Sequence, residues 1–326
     1  MTILLAPMEG LLDHPLREVL TAVGGIDRCV TEFIRITDQL LPEKVFTRVM
    51  PELLHGSRTR AGTPVRAQLL GSDPQCLAEN AARLSELGAE GIDLNFGCPV
   101  RKVTRKGGGA AIPVKRNLLR AIVRAAVRAA GPVPVTMKFR IGVDDSLVTF
   151  ETAGKIGEDE GCAAVGLHAR TAVQGYGGEA RWAAIARLKQ LVTSIPVLGN
   201  GDIFDADDAL AMMAETGCDG VVIGRGCLGR PWLFAELSAA MTATLADEAK
   251  LGRFAAALLS LAGVAWRATF GAADGVARAL RHAALGLRAG GALVVPVVHL
   301  RHPEPGGCGA RAAETWRVVD RAVAFA

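Results

Sequence analysis

Short apolar runs rich in β-branched residues alternate with longer stretches of helical period along the first three-quarters of the chain. The runs cover residues 3–8, 28–36, 65–70, 91–96, 135–141, 163–168, 197–199 and 220–224. Between them, apolar positions recurring every three to four residues predict helices near 14–23, 75–88, 114–130, 149–160, 183–193, 205–216 and 230–243, with 37–55 less regular. Most of the runs are apolar on both faces, as in a parallel sheet covered by helices. Eight such units within residues 1–244 predict an α/β fold, a (β/α)8 TIM barrel. No Gly-x-Gly-x-x-Gly follows the first run, which disfavours the open, doubly wound alternative. Residues 245–326 form a smaller, mainly helical C-terminal segment in this reading. Phe254, Leu258, Leu261 and Val264 share a helical face, whereas 294–308 reads poorly as helix.

Composition narrows the class. The chain has 326 residues, 50% hydrophobic and 21% charged, enough for a large core. It contains no apolar run long enough to span a bilayer, and its first residues lack the pattern of a signal peptide, so a cytoplasmic protein without membrane attachment is expected. Seven scattered cysteines with no Cys-x-x-Cys pair argue against a zinc or iron–sulfur site and against a disulfide framework. The net charge of +4 resides in residues 245–326, with ten Lys/Arg against six Asp/Glu. That excess suits nucleic acid and an ordinary solvated surface equally well.

A barrel carries its chemistry at the C-terminal ends of its strands. Unusual residues fall there: Met8 and Glu9 after the first run, Gln68 in the third, Asn95 and Cys98 at the fourth, Lys138 and Arg140 in the fifth, His168 and Arg170 at the sixth. Gly199-Asn200-Gly201-Asp202 follows the seventh and Gly224-Arg225-Gly226 the eighth. Loops after these last two strands are the usual phosphate grip of such barrels, and Arg225 adds a charged donor. The alternative is a pair of tight turns closing the barrel. Lys138 lies in an apolar run and needs an anionic partner, either the edge of a reduced flavin or an ion pair within the barrel. His168 and Gln68 suit hydrogen bonding to a cofactor, or structural roles. Asp93-Leu94-Asn95-Phe96-Gly97-Cys98-Pro99 delivers an amide and a thiol to the mouth. A mobile basic loop with Arg101, Lys102, Arg105 and Lys106 follows, suited to the phosphates of a polyanion or simply solvated.

Taken in order, these pieces resemble the tRNA-dihydrouridine synthases. The resemblance runs over roughly residues 3–240 and is carried by Ala6-Pro7-Met8, Ala67-Gln68-Leu69, Asn95-Phe96-Gly97-Cys98-Pro99, Gly108-Gly109-Ala110, Met137-Lys138 with Arg140, His168-Ala169-Arg170-Thr171, Tyr176, Trp182 and the two glycine-rich turns. It implies an enzyme that binds FMN, takes electrons from NADPH and reduces uridines in the D-loop of tRNA; the sequence is silent on oligomeric state, and a monomer is the default expectation. Hydride would pass from flavin N5 to C6 of a flipped-out uracil, and Cys98 would protonate C5. The cofactor set would be Pro7, Met8, Glu9, Gln68, Lys138, His168, Asn200, Gly201, Asp202, Gly224 and Arg225. Asn95, Lys102 and Arg170 would contact the substrate. A thiol suits the acid, being protonated at neutral pH yet able to release its proton. The pattern departs from the family at Arg181, where an acidic residue commonly precedes the tryptophan, and in residues 245–326, where a compact tRNA-binding helical domain is expected. Two rivals remain: a small-molecule FMN barrel of the dihydroorotate dehydrogenase kind, and a non-catalytic RNA-binding barrel.

Overall fold

The computed structural model describes residues 2–242 and two short strands nearer the C terminus. In order, the first region runs β1 (Thr2–Leu5), α1 (His14–Val23), β2 (Arg28–Arg35), α2 (Glu43–Val49), β3 (Val65–Leu70), α3 (Pro74–Glu86), β4 (Ile92–Phe96), α4 (Arg101–Thr104), α5 (Arg116–Ala130) and β5 (Val135–Arg140). It continues with α6 (Phe150–Asp159), β6 (Ala164–His168), α7 (Trp182–Leu191), β7 (Val197–Asn200), α8 (Ala206–Thr216), β8 (Gly220–Ile223) and α9 (Leu233–Met241). Strands β1–β8 are parallel and close into a barrel, with Thr2 to Leu5 paired against Gly220 to Ile223. The TIM barrel is thus the fold of this region, with a helix after every strand.

Local sequence sets the boundaries. The first run was expected through Met8, but β1 stops at Leu5: Ala6 still donates to Ile223, and Pro7 has no N–H with which to continue the ladder. Residues 6–8 therefore turn into the barrel mouth. The irregular stretch 37–55 contains α2, which completes the eightfold alternation, and a 3-10 turn over Pro51–His55. The basic segment after Cys98 is also more ordered than a free loop, with α4 and a 3-10 turn over Gly109–Ala111. Helix α8 opens on a reciprocal capping box between Asp205 and Asp208 and ends at Gly217 in the left-handed region. Helix α5 buries Leu119, Ile122, Val123, Ala126 and Ala130, one face at helical spacing.

One ion pair lies inside this packing. The Arg17 guanidinium grips the Glu52 carboxylate through Nε (2.8 Å) and Nη2 (2.9 Å), and both side chains are fully buried. Further donations to Leu12 O and Val49 O use most of the remaining guanidinium capacity. The pair ties α1 to the segment following α2.

The chain divides into units of residues 1–245 and 246–326. Within the second, β9 (Val295–Pro296) and β10 (Ala322–Val323) pair antiparallel. The predicted helical face of Phe254, Leu258, Leu261 and Val264 lies outside the described residues.

Candidate active site

The C-terminal ends of the strands surround a cavity of about 880 Å³, within the range of sites that take cofactor-sized molecules. Every residue assigned above to catalysis, cofactor or substrate lines it: Pro7, Met8, Glu9, Gln68, Asn95, Cys98, Lys102, Lys138, His168, Arg170, Asn200, Gly201, Asp202, Gly224 and Arg225; of the basic segment after Cys98, Arg101, Arg105 and Lys106 do not.

One side is a backbone cradle. The amides of Gly201, Asp202, Ile203, Gly224, Arg225 and Gly226 donate to no acceptor among the described residues. Gly201 and Asp202 both have positive φ (130° and 53°), a turn that glycine makes at no steric cost and aspartate tolerates. At Gly226 a side chain is excluded, because a Cβ would sit 2.0 Å from the carbonyl oxygen of Ile203. The two loops after β7 and β8 are therefore pressed together, with their amides available to an anion. Arg170 anchors this side. Its Nη2 bonds both Asp202 carboxylate oxygens (2.7 and 2.8 Å), and further donations reach the carbonyls of Gly177 and Gly178. Arg170 and Asp202 are thus committed to each other. Trp182 donates to Gly201 O at 3.0 Å, while Arg181, the residue that departs from the family pattern, pairs with Asp145.

Cationic groups occupy the centre. Lys138 Nζ donates to Asn200 Oδ1 at 2.7 Å, and Asn200 Nδ2 donates to Val222 O at 2.7 Å. Lys138 has no carboxylate partner among the described residues, so the internal ion pair weighed from sequence is not formed there. Burial, and secondarily the charge of Arg140, push its amine down to about 7 against the pull of Asp93. Burial also drives His168 far below its ordinary value, helped by Lys138, Arg140, Arg170 and Arg225, so its imidazole is neutral.

On the opposite side β4 presents Cys98. Asn95 Oδ1 accepts the N–H groups of Gly97 (3.0 Å) and Cys98 (2.9 Å). Ala110 donates to Cys98 O, tying the glycine-rich turn to the thiol segment. Burial raises the Cys98 thiol above its usual value, partly offset by a hydrogen bond from Val100 and reinforced by Glu9. The group is held protonated. Tyr176, 61% exposed, stands at the rim with the guanidinium of Arg225 4.9 Å and that of Arg140 5.4 Å from its ring centre.

The sequence reading missed one wall. Phe33, Arg35, Leu41, Val45, Arg48 and Val49 line the cavity from β2, α2 and the segment between them. Arg35 at the end of β2 was the available signal, but the helix that completes this wall was hidden in an irregular stretch.

Comparison with known proteins agrees with this geometry. The chain matches the family described as dihydrouridine synthase (Dus) over residues 4–289. It is 64% identical over 183 residues to a "probable tRNA-dihydrouridine synthase" of Mycobacterium leprae, spanning 55% of this chain and about half (48%) of that protein. It is 50% identical over 242 residues to the "tRNA-dihydrouridine(16) synthase" of Pseudomonas putida, 74% of each chain. Among solved structures, DHODH from Eimeria tenella superposes with a TM-score of 0.52 at 12% identity, over 73% of this chain and 80% of that one, a likeness of fold alone. A family match along most of the chain, relatives at these identities and a cavity assembled from the motif residues lead to one conclusion: this chain belongs to the dihydrouridine synthase family.

Proposed function

We propose that the protein is an FMN-dependent tRNA-dihydrouridine synthase that reduces a uridine in the D-loop of tRNA at the expense of NADPH. The observation that carries this reading is the meeting, in one cavity, of a protonated thiol at Cys98 with an amide cradle at the β7 and β8 loops. The cradle fits FMN: unpaired N–H groups beside Arg225 suit a phosphate, and an amine without a carboxylate at Lys138 suits the edge of a ring that gains negative charge. Gly201, Asp202, Gly224 and Arg225 would hold the phosphate end. Pro7, Met8, Glu9, Gln68, Lys138, His168 and Asn200 would surround the rest. Bound FMN, reduced by NADPH, supplies the hydride received at C6 of the uracil.

The chain's own residues do the remaining work. Cys98 holds a proton near neutrality and gives it to C5, leaving a thiolate that solvent reprotonates. Asn95 holds the base, which must leave the RNA stack to enter the mouth. Lys102, exposed on α4 at the cavity rim, lies where a phosphate backbone would pass. Arg170 supports this action by fixing the loop that carries Asp202. The names of the relatives point to position 16 as the target. No helix among the described residues is long and apolar enough to cross a membrane. The test is to incubate the purified protein with FMN, NADPH and unmodified tRNA and map dihydrouridine. Absence of the product throughout the D-loop would overturn the assignment.

A further inference from the structure

Beneath the cavity floor, Asp93 on β4 is 5% exposed and plays no part in the chemistry above. Its Oδ1 accepts from Thr136 Oγ1 at 2.6 Å and its Oδ2 from Gln68 Nε2 at 2.7 Å. Gln68 Oε1 accepts from Asn95 Nδ2 at 2.8 Å, and Asn95 Oδ1 accepts from the backbone of Gly97 and Cys98. We propose that Asp93 is a positioning residue that, through Gln68, sets which way the Asn95 amide faces, and thereby both holds the Cys98 segment and dictates what the floor offers a base.

The argument is one of donors and acceptors. An amide can face either way, and only its partners decide. Asp93 supplies an acceptor, so Gln68 must turn its Nε2 towards it and its Oε1 towards Asn95. Asn95 must then answer with Nδ2, which leaves Oδ1 for the N–H groups of Gly97 and Cys98. Reversing any amide would set donor against donor at one end and acceptor against acceptor at the other. Burial raises the Asp93 carboxyl, with the Thr136 and Gln68 hydrogen bonds opposing, yet the relay holds in either protonation state. A protonated carboxyl can donate to Thr136 Oγ1 and still accept from Gln68. Asn95, which lines the cavity, keeps one N–H free of this relay. That donor matches a carbonyl oxygen of uracil and meets the exocyclic amine of cytosine unfavourably, so the relay favours the base whose reduction is proposed.

This inference rests on the dihydrouridine synthase reading, but its test does not depend on turnover. Asp93→Asn keeps an acceptor for Gln68 and directs its own Nδ2 to Thr136 Oγ1, a hydroxyl that accepts as readily as it donates. Asp93→Leu removes the acceptor at similar size, and Gln68→Leu cuts the relay in its middle without touching Asp93. The FMN-loaded full chain and the three variants are compared for the pH profile of Cys98 alkylation by iodoacetamide, mapped by peptide mass, and for kcat on tRNA. Asp93→Asn is expected to follow the wild type in both. Asp93→Leu and Gln68→Leu release the Cys98 segment, so the thiol loses burial and its alkylation midpoint moves to lower pH. Their kcat falls about 10- to 100-fold, the usual cost of a misplaced catalytic group. The proposal is overturned if Gln68→Leu leaves the alkylation profile unchanged, or if Asp93→Asn is as impaired as Asp93→Leu, which would make the carboxylate's charge the operative feature. Should Asp93→Leu not fold, Gln68→Leu and Asp93→Asn still decide. A wild type that makes no dihydrouridine would count against the function alone, since the alkylation comparison stands without it.

Discussion

Lys138 Nζ and Asn200 Oδ1 meet at 2.7 Å across the barrel interior, an ammonium answered by a neutral amide rather than by a carboxylate. Charge balance at this point is left to whatever enters the cavity. With its amine pushed down to about 7, Lys138 is mostly neutral at about pH 8, and an anionic ligand beside it raises the value again. FMN binding at that pH should therefore take up a proton. Calorimetric titrations in buffers of different ionisation enthalpy will measure it, and Lys138→Met should abolish the uptake. Equal uptake by both proteins would remove Lys138 from the cofactor site.

Cys98→Ala is expected to keep FMN, judged by absorbance after gel filtration, and to lose about 10²- to 10⁴-fold in dihydrouridine formation, the range for a general acid. Because burial raises the thiol, wild-type activity should hold through neutrality and decline only on the alkaline side of the usual thiol value of 9.0. A Cys98→Ala enzyme with full activity would end its role as acid.

Arg17 and Glu52 report on the scaffold alone. Burial pushes the Glu52 carboxyl up, but the hydrogen bond and charge of Arg17 outweigh it and hold the group below its usual 4.5. A depressed carboxylate contributes stability above its unfolded value and loses it as pH falls through the folded one, so the benefit persists at neutrality and vanishes in acid. Glu52→Gln strands a buried guanidinium charge and should cost about 3–5 kcal/mol. The readout is thermal melting near neutrality and again well below pH 4.5, where the gap between the two proteins should narrow. A gap that is the same at both pH values contradicts the linkage.

Gly226→Ala places a methyl group against Ile203 O and must part the β7 and β8 loops. Overpacking of this kind costs about 1–3 kcal/mol, and here it falls on the proposed phosphate grip. FMN affinity should drop about tenfold or more for that energy, read by flavin fluorescence. Unchanged affinity would show that phosphate binding does not depend on this close approach.

The barrel was legible because its strands are apolar on both faces, which few other folds require, and the polar residues at the strand ends stood out against that background. The motif residues consequently fell into a single cavity. Partnerships were harder to read. Arg170 and Asp202 each looked available to a ligand, yet they hold one another, since a pairing 32 residues apart has no local signature. Asp93 was visible within its motif, but its bonds to Gln68 and Thr136 depend on strand register, which residue spacing does not encode. Helix α2 was missed because its seven residues hold too few apolar positions to establish a period.

Tyr176 is the chain's single tyrosine, and it stands at the cavity rim between Arg140 and Arg225. The entrance consequently carries its own spectroscopic label. Biosynthetic incorporation of 3-fluorotyrosine would place one fluorine resonance in the whole protein, at the threshold that the proposed cofactor and RNA would both pass. Arrival and departure of each would then be followed in solution without attaching a foreign probe.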